Sequence, residues 1–146
     1  MFFTFRTVGD LILPESVRSA VLEHCLHDNH VKYYMHTVVV MPDHVHMIIS
    51  PLPDPDGVGY GFAEITGGIK GASSHTINKL LGRRGRVWQA ESFDHILRGD
   101  EELGKKCRYI AENPVRKNLV ASPDGYPWLW RDWLEGNDQD TAGGPP

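Results

Sequence analysis

The apolar positions of this chain fall into short alternating runs and longer helical cycles, and the order of those runs predicts its elements. Phe2, Phe3 and Phe5 mark a strand over residues 2–7. Residues 14–27 read as a helix, with Pro14 near its start, where an N–H would lack a partner in any case. Val17, Val21 and Leu22 fall on one side of it. Residues 31–41 and 44–50 form two strands joined by the Pro42-Asp43 turn. Residues 51–61 are a Pro/Gly/Asp loop too polar and flexible to pack tightly. Over residues 62–81, Ile65, Ile69 and Ile77 are in helical phase, although Gly67, Gly68 and Gly71 weaken that helix or permit close approach of a ligand. A short strand at 93–97 and a helix at 100–113 follow. The order β-α-β-β-α-β is the ferredoxin-like pattern of the α+β class, an antiparallel sheet with helices packed on one face. It makes the strand 44–50 central.

That strand carries His44 and His46. Side chains at i and i+2 leave a strand on the same face, so two imidazoles stand side by side while Val45, Met47 and Ile49 turn to the other face. Two neutral imidazoles suit a divalent metal with further ligands from elsewhere; the plainer reading of the pair alone is two partly exposed histidines on a half-polar sheet face. In the last helix, Asp100-Glu101-Glu102 supplies a cap and first-turn acids. Leu103, Cys107, Ile110 and Ala111 make its buried stripe. Tyr109 lies off that stripe and Asn113 one turn later on the same side. Pro114 biases Asn113 away from helical geometry, so the helix is expected to stop there. A phenol and an amide at a helix end are available to a common site, although each alone is ordinary turn or rim chemistry.

Composition describes one soluble domain over residues 1–135, with a Gly/Pro/Asp-rich tail at 136–146 expected to be disordered. Trp128, Trp130 and Trp133 precede the tail and read as a packed cap in preference to a base-stacking platform. No apolar run reaches membrane-spanning length, the N-terminus reads as a strand and not a signal peptide, and Cys25 and Cys107 form no metal or redox motif. A cytoplasmic protein without a membrane partner is expected. The net charge of −4 argues against a polyanionic partner, but its distribution does not. Residues 67–120 hold 11 Lys/Arg against 6 Asp/Glu, and the rest of the chain 4 against 13. Lys70, Arg83, Arg84, Arg86, Arg116 and Lys117 thus become candidate phosphate contacts, against the plainer reading of a solvated helix and loop. His24, His27 and His30 are expected on a surface. His95 could assist phosphate binding without being a ligand, and His36 and His75 carry no signal.

Met41-Pro42-Asp43-His44-Val45-His46, Lys70-Gly71, Val87-Trp88-Gln89-Ala90-Glu91-Ser92-Phe93-Asp94-His95 and Tyr109-Ile110 onward together resemble the REP-associated tyrosine transposases. These are single-tyrosine HUH transposases of the small bacterial insertion-sequence type, and the resemblance runs from about Thr4 to about Trp128. It implies that Tyr109 is a nucleophile and that His44, His46 and Asn113 hold a divalent metal, Mg2+ or Mn2+. It implies cleavage and rejoining of single-stranded or hairpin DNA through a 5′-phosphotyrosine, by a monomer or a homodimer. Asn118 replaces a frequent Gly of the family, and Asn also tolerates a left-handed turn. A non-catalytic hairpin binder on the same scaffold and a metal-dependent phosphohydrolase remain alternatives.

Overall fold

The computed structural model describes residues 1–132. The elements run β1 (Phe2–Arg6), α1 (Glu15–His27), β2 (Tyr33–Val40), β3 (His44–Pro51), α2 (Phe62–Leu81), β4 (Phe93–His95), α3 (Gly99–Arg116) and β5 (Leu129–Arg131). The sheet is antiparallel throughout, in the order β4-β1-β3-β2-β5. The α+β class, the β-α-β-β-α-β order and the central place of β3 are as expected from the sequence. The residues assigned to a disordered tail, 136–146, and Trp133 lie outside the described residues.

Period-two alternation in β3 sorts its residues onto two faces. Val45, Met47 and Ile49 join Phe3, Phe5 and Val38 under α1 and α2, whose Val17, Val21, Cys25, Ile65, Ile69 and Ile77 fill the layer. Met35 and Val38 share that face although three residues apart, because the β2–β3 register shifts between Met35 and Thr37. One extra residue in a strand restores the phase. Ile48, Val39 and Phe2 form the opposite core with Ile110 of α3 and Tyr126. The two helices of the ferredoxin-like unit therefore share one face, whereas the tyrosine helix α3 packs on the other, the face that carries His44 and His46. A stripe of apolar positions says that a helix is buried against something but not against which side of a sheet.

Three local expectations change. α3 does not stop at Asn113 but runs to Arg116 with Pro114 inside it. Its last turn is closed by N–H donors of Lys117, Asn118 and Leu119 to the carbonyls of Asn113, Val115 and Pro114 at 2.9–3.0 Å. Asn118 takes the left-handed position, φ 61°, as the sequence anticipated. This closure and the burial of Asn113 and Pro114 outweigh the local bias against helix before proline. At the other end the helix begins at Gly99, so Asp100 lies inside it and the Glu102 carboxylate accepts from the Arg98 N–H at 2.6 Å. Finally, Leu129–Arg131 is an edge strand on β2, with Trp128 and Trp130 half-buried against the core. Gly67, Gly68 and Gly71 lie within α2, and a Cβ at any of them would meet open space. No described helix is long and apolar enough to cross a membrane.

Candidate active site

β3 and β1 build the floor of the site together. Their register places Thr4 opposite His46 and Arg6 opposite His44. All four side chains therefore leave the sheet toward α3. The His44 and His46 rings stand 4.6 Å apart between centroids. Each is fixed through Nδ1: His44 by the Asp43 carboxylate at 2.7 Å, His46 by the Thr4 hydroxyl at 2.7 Å. Nδ1 of His44 donates to the carboxylate, which leaves its Nε2 with a lone pair. For His46 the corresponding tautomer donates from Nδ1 to Thr4, again freeing Nε2. Both rings are buried. Burial, followed by the nearby His44, Arg6, Arg116 and Lys106, pushes the His46 pKa down to about 3. Burial also lowers that of His44, against the opposing pull of Asp43. Both imidazoles are thus held neutral, the form a metal ligand requires.

α3 supplies the other half. Asn113 is buried and its Nδ2 donates to His44 Nε2 at 3.3 Å. One turn earlier Tyr109 is 47% exposed, its ring 6.4 Å from that of His46. Arg116 binds both residues. Its Nη2 donates to the Tyr109 carbonyl at 2.7 Å and to Asn113 Oδ1 at 3.3 Å, while the guanidinium lies 4.0 Å over the Tyr109 ring. Lys106 sits 5.1 Å over the same ring and 5.0 Å over Phe2. The exposed phenol is therefore flanked by two cations and backed by the neutral His46 ring. An anion that reached Tyr109 would meet positive charge on arrival.

Among the described residues no group of three His, Cys, Asp or Glu could hold a metal ion. The donor set that does converge is two imidazoles and one amide. Its chemistry fits a divalent cation of mixed nitrogen and oxygen preference. Such an ion takes the amide oxygen, whereas the amide nitrogen faces His44 here. Binding would exchange the two ends of the Asn113 amide and release Oδ1 from Arg116.

Tyr109, His44, His46 and Asn113 are thus brought together, with Arg116 among them and Lys117 just beyond the end of α3. Lys70, Arg83, Arg84 and Arg86 form a separate group along α2 and the loop after it. Lys70 Nζ donates to the Gln89 carbonyl at 2.9 Å and to Ser92 Oγ at 3.0 Å. Arg83 is tied to Asn78 Oδ1 and the Arg86 carbonyl at 2.8 and 3.3 Å, a staple within its loop, while Arg84 and Arg86 are exposed. The two groups are linked through the backbone, because the Gln89 N–H donates to the Arg6 carbonyl at 2.8 Å. His95 is exposed and pairs with Glu102 at 3.3 Å, outside the ligand cluster. His24, expected on a surface, is half-buried and bonds Thr76 of α2 at 2.8 Å. Thr4, Arg6, Asp43 and Lys106 were not singled out by the sequence. Lys106 stands three residues before Tyr109, a helical spacing that could have revealed it; Thr4 and Arg6 depend on strand register. A cavity of about 670 Å3 on another side of α3, bordered by His36, Leu103, Cys107 and Arg131, includes none of these residues.

Known proteins share the sequence pattern and the fold of this chain. Residues 13–113 match the family profile of IS200-like transposases. A Haemophilus influenzae protein named as a REP-associated tyrosine transposase is 26% identical over 117 residues, 76% of this chain. The chain spans 64% of the length of that relative. The solved structure of a REP-associated tyrosine transposase bound to a REP hairpin superposes with a TM-score of 0.72 at 22% identity, covering 99% of this chain and 81% of the other. The family resemblance expected from the sequence is found in the profile and in the named relative, and the solved structure shares the fold. With the profile covering most of the chain, this protein belongs to the IS200-like transposase family.

Proposed function

We propose that the chain is a metal-dependent transposase that nicks and rejoins single-stranded hairpin DNA of the REP type through a 5′-phosphotyrosine on Tyr109. The observation that carries this reading is the convergence, from two separate elements, of an exposed tyrosine with two neutral imidazoles and an amide. A structural tyrosine on a helix rim has no need of such neighbours. The hairpin partner is drawn from the solved relative, which is bound to a REP hairpin, and from the basic groups described above.

His44, His46 and Asn113 would hold Mg2+ or Mn2+, which would supply Lewis-acid stabilisation of charge on the phosphate. Every other contribution comes from the chain. Asp43 and Thr4 fix the two rings so that neither must reorganise when the phosphate arrives. Arg116 holds Tyr109 through its carbonyl and its ring, which favours an aligned attack. The phenol oxygen forms a bond to phosphorus as the P–O3′ bond breaks; O3′ keeps the electron pair and takes up a proton, and the phenol's proton passes to solvent. Because the new ester retains the bond, a 3′-hydroxyl can later attack it and restore a DNA strand, returning the proton to Tyr109. Lys70, Arg84, Arg86 and Lys117 would contact phosphates away from the reaction.

The reading is tested by incubating the chain with a labelled single-stranded hairpin oligonucleotide and Mn2+, then resolving the products on a denaturing gel. A protein–DNA adduct that disappears with a chelator supports it. Binding without an adduct would assign the chain to hairpin recognition alone, and free 5′-phosphate ends without an adduct to hydrolysis.

A further inference from the structure

We propose that the cleft beyond His44, walled by Ile12 and Leu119, holds the nucleotide that leaves with the 3′-hydroxyl. This rests on the cleavage reading above and adds a binding site to it. The register of β1 on β3 gives the site a direction, from Phe2 and Ile48 at one end, through Thr4 and His46, to Arg6 and His44 at the other. Tyr109 belongs to the first end: its ring is 6.4 Å from His46, and Lys106 lies over both Tyr109 and Phe2. Asn113, a turn further along α3, reaches His44 at 3.3 Å. Another turn brings Lys117 and then Leu119 to the border of a cleft of about 230 Å3, whose other walls include Ile12, Arg6, Asp43 and His44. Lys117 follows Tyr109 by eight positions, roughly 12 Å along the helix axis.

An in-line displacement fixes what lies on each side. The Tyr109 oxygen enters from the His46 end, so the bond to O3′ breaks on the side away from it. The nucleotide 5′ to the scissile phosphate is carried toward His44 and the cleft. That cleft has the chemistry for a nucleotide. Ile12 and Leu119 are large apolar side chains left 58% and 45% exposed, able to face a base on its flat surface. Arg6 and Lys117 put positive charge beside them for the preceding phosphate. The carboxylate of the cleft, Asp43, is already engaged with His44 Nδ1 at 2.7 Å. The volume suits a base with part of its sugar, and the combination of apolar wall and cationic rim distinguishes a DNA strand from an apolar peptide.

The test uses the full chain and its Ile12→Ser/Leu119→Ser variant, whose altered side chains are exposed, with circular dichroism as the check of fold. Adduct formation is measured on hairpin strands that carry either the natural base or an abasic site immediately 5′ of the cleaved bond. The wild-type chain is expected to lose about tenfold or more in rate when that base is removed. The variant should be slow on both strands, with their ratio close to unity. In parallel, a short strand ending in 3′-terminal 2-aminopurine should change fluorescence on binding the metal-free wild-type chain and not the variant. A variant with the wild-type base dependence overturns the assignment. So does wild-type self-association that the variant loses, which would make the patch a contact between copies. Absence of any adduct from the wild-type chain overturns the cleavage reading itself, and this inference with it; an adduct indifferent to the base removes only the cleft.

Discussion

Thr4→Val removes one hydroxyl from the floor of the site and keeps the shape and β-branching of the residue. Thr4 and His46 are 7% exposed each, and their bond at 2.7 Å spans 42 residues of sequence. In the variant, Nδ1 of His46 stays buried without that partner, which costs about 1–3 kcal/mol. The added methyl group, buried against the sheet, returns about 0.8 kcal/mol, so a net loss of about 0.2–2 kcal/mol is expected. For a chain of this size that lowers the melting temperature by roughly 2–4 °C per kcal/mol. The larger effect is expected on affinity for the proposed metal. His46 loses the bond that fixes its tautomer and ring orientation, and partners of this kind typically contribute 10–100-fold to metal affinity. Urea denaturation measures the first quantity and titration calorimetry with Mn2+ the second. Manganese affinity unchanged within twofold, in a variant that folds, would refute the claim that Thr4 orients a metal ligand. Asp43→Asn supplies the contrast, because the Asp43 side chain is 54% exposed. Water can replace part of its bond, and its effect on folding should be the smaller one.

The double change His44→Ala/His46→Ala should abolish strand cleavage while thermal unfolding remains cooperative, since the core below these rings is built by Ile48, Val39 and Ile110; cleavage with Mn2+ at the wild-type rate would sink the metal assignment. Arg84→Ala/Arg86→Ala should flatten the salt dependence of hairpin binding, by about one unit of slope for each phosphate no longer neutralised, without altering sequence preference. An unchanged slope returns that loop to plain solvent exposure. Arg116→Lys keeps the charge but cannot lie flat over the Tyr109 ring and bond the Tyr109 carbonyl at once. It should retain DNA affinity while the cleavage rate falls on the order of 10²-fold, as expected for a misplaced nucleophile. Weakened binding with an unchanged rate would make Arg116 a phosphate ligand instead.

Much of this arrangement was legible in local sequence, and most of the exceptions share a cause. His44 and His46 share a face because strand periodicity is two, whatever the sheet around them. Tyr109 and Asn113 share a side because helical spacing is similarly local. Arg6 and Thr4 could not be placed, since their roles follow from the pairing of β1 with β3 across some forty residues. The same limit hid the face on which α3 docks, and the separation of Lys70, Arg83, Arg84 and Arg86 from the tyrosine. Charge counted along the chain joined residues that the fold keeps on different elements. The overrun of α3 past Asn113 has another origin: the rule for a residue before proline is a local preference, and a buried amide with a closed C-terminal turn overrode it. β5 was missed because three residues beside aromatic side chains carry too little alternation to read.

The central claim is that Tyr109 attacks DNA. Tyr109→Phe removes one oxygen and leaves the ring between Arg116, Lys106 and His46, so folding, Mn2+ affinity and hairpin binding should match the wild type. On a denaturing gel after incubation with single-stranded hairpin DNA and Mn2+, the wild-type chain should yield a covalent adduct. Peptide mapping should place the DNA on Tyr109, and the variant should show neither adduct nor new 3′-hydroxyl end. If the phenol only rounded off the rim of the site, the change would cost one hydrogen bond, about 0.5–1.5 kcal/mol and at most roughly tenfold in rate. Cleavage persisting in Tyr109→Phe, or an adduct mapped to Tyr33, Tyr34, Tyr60 or Tyr126, would contradict the account.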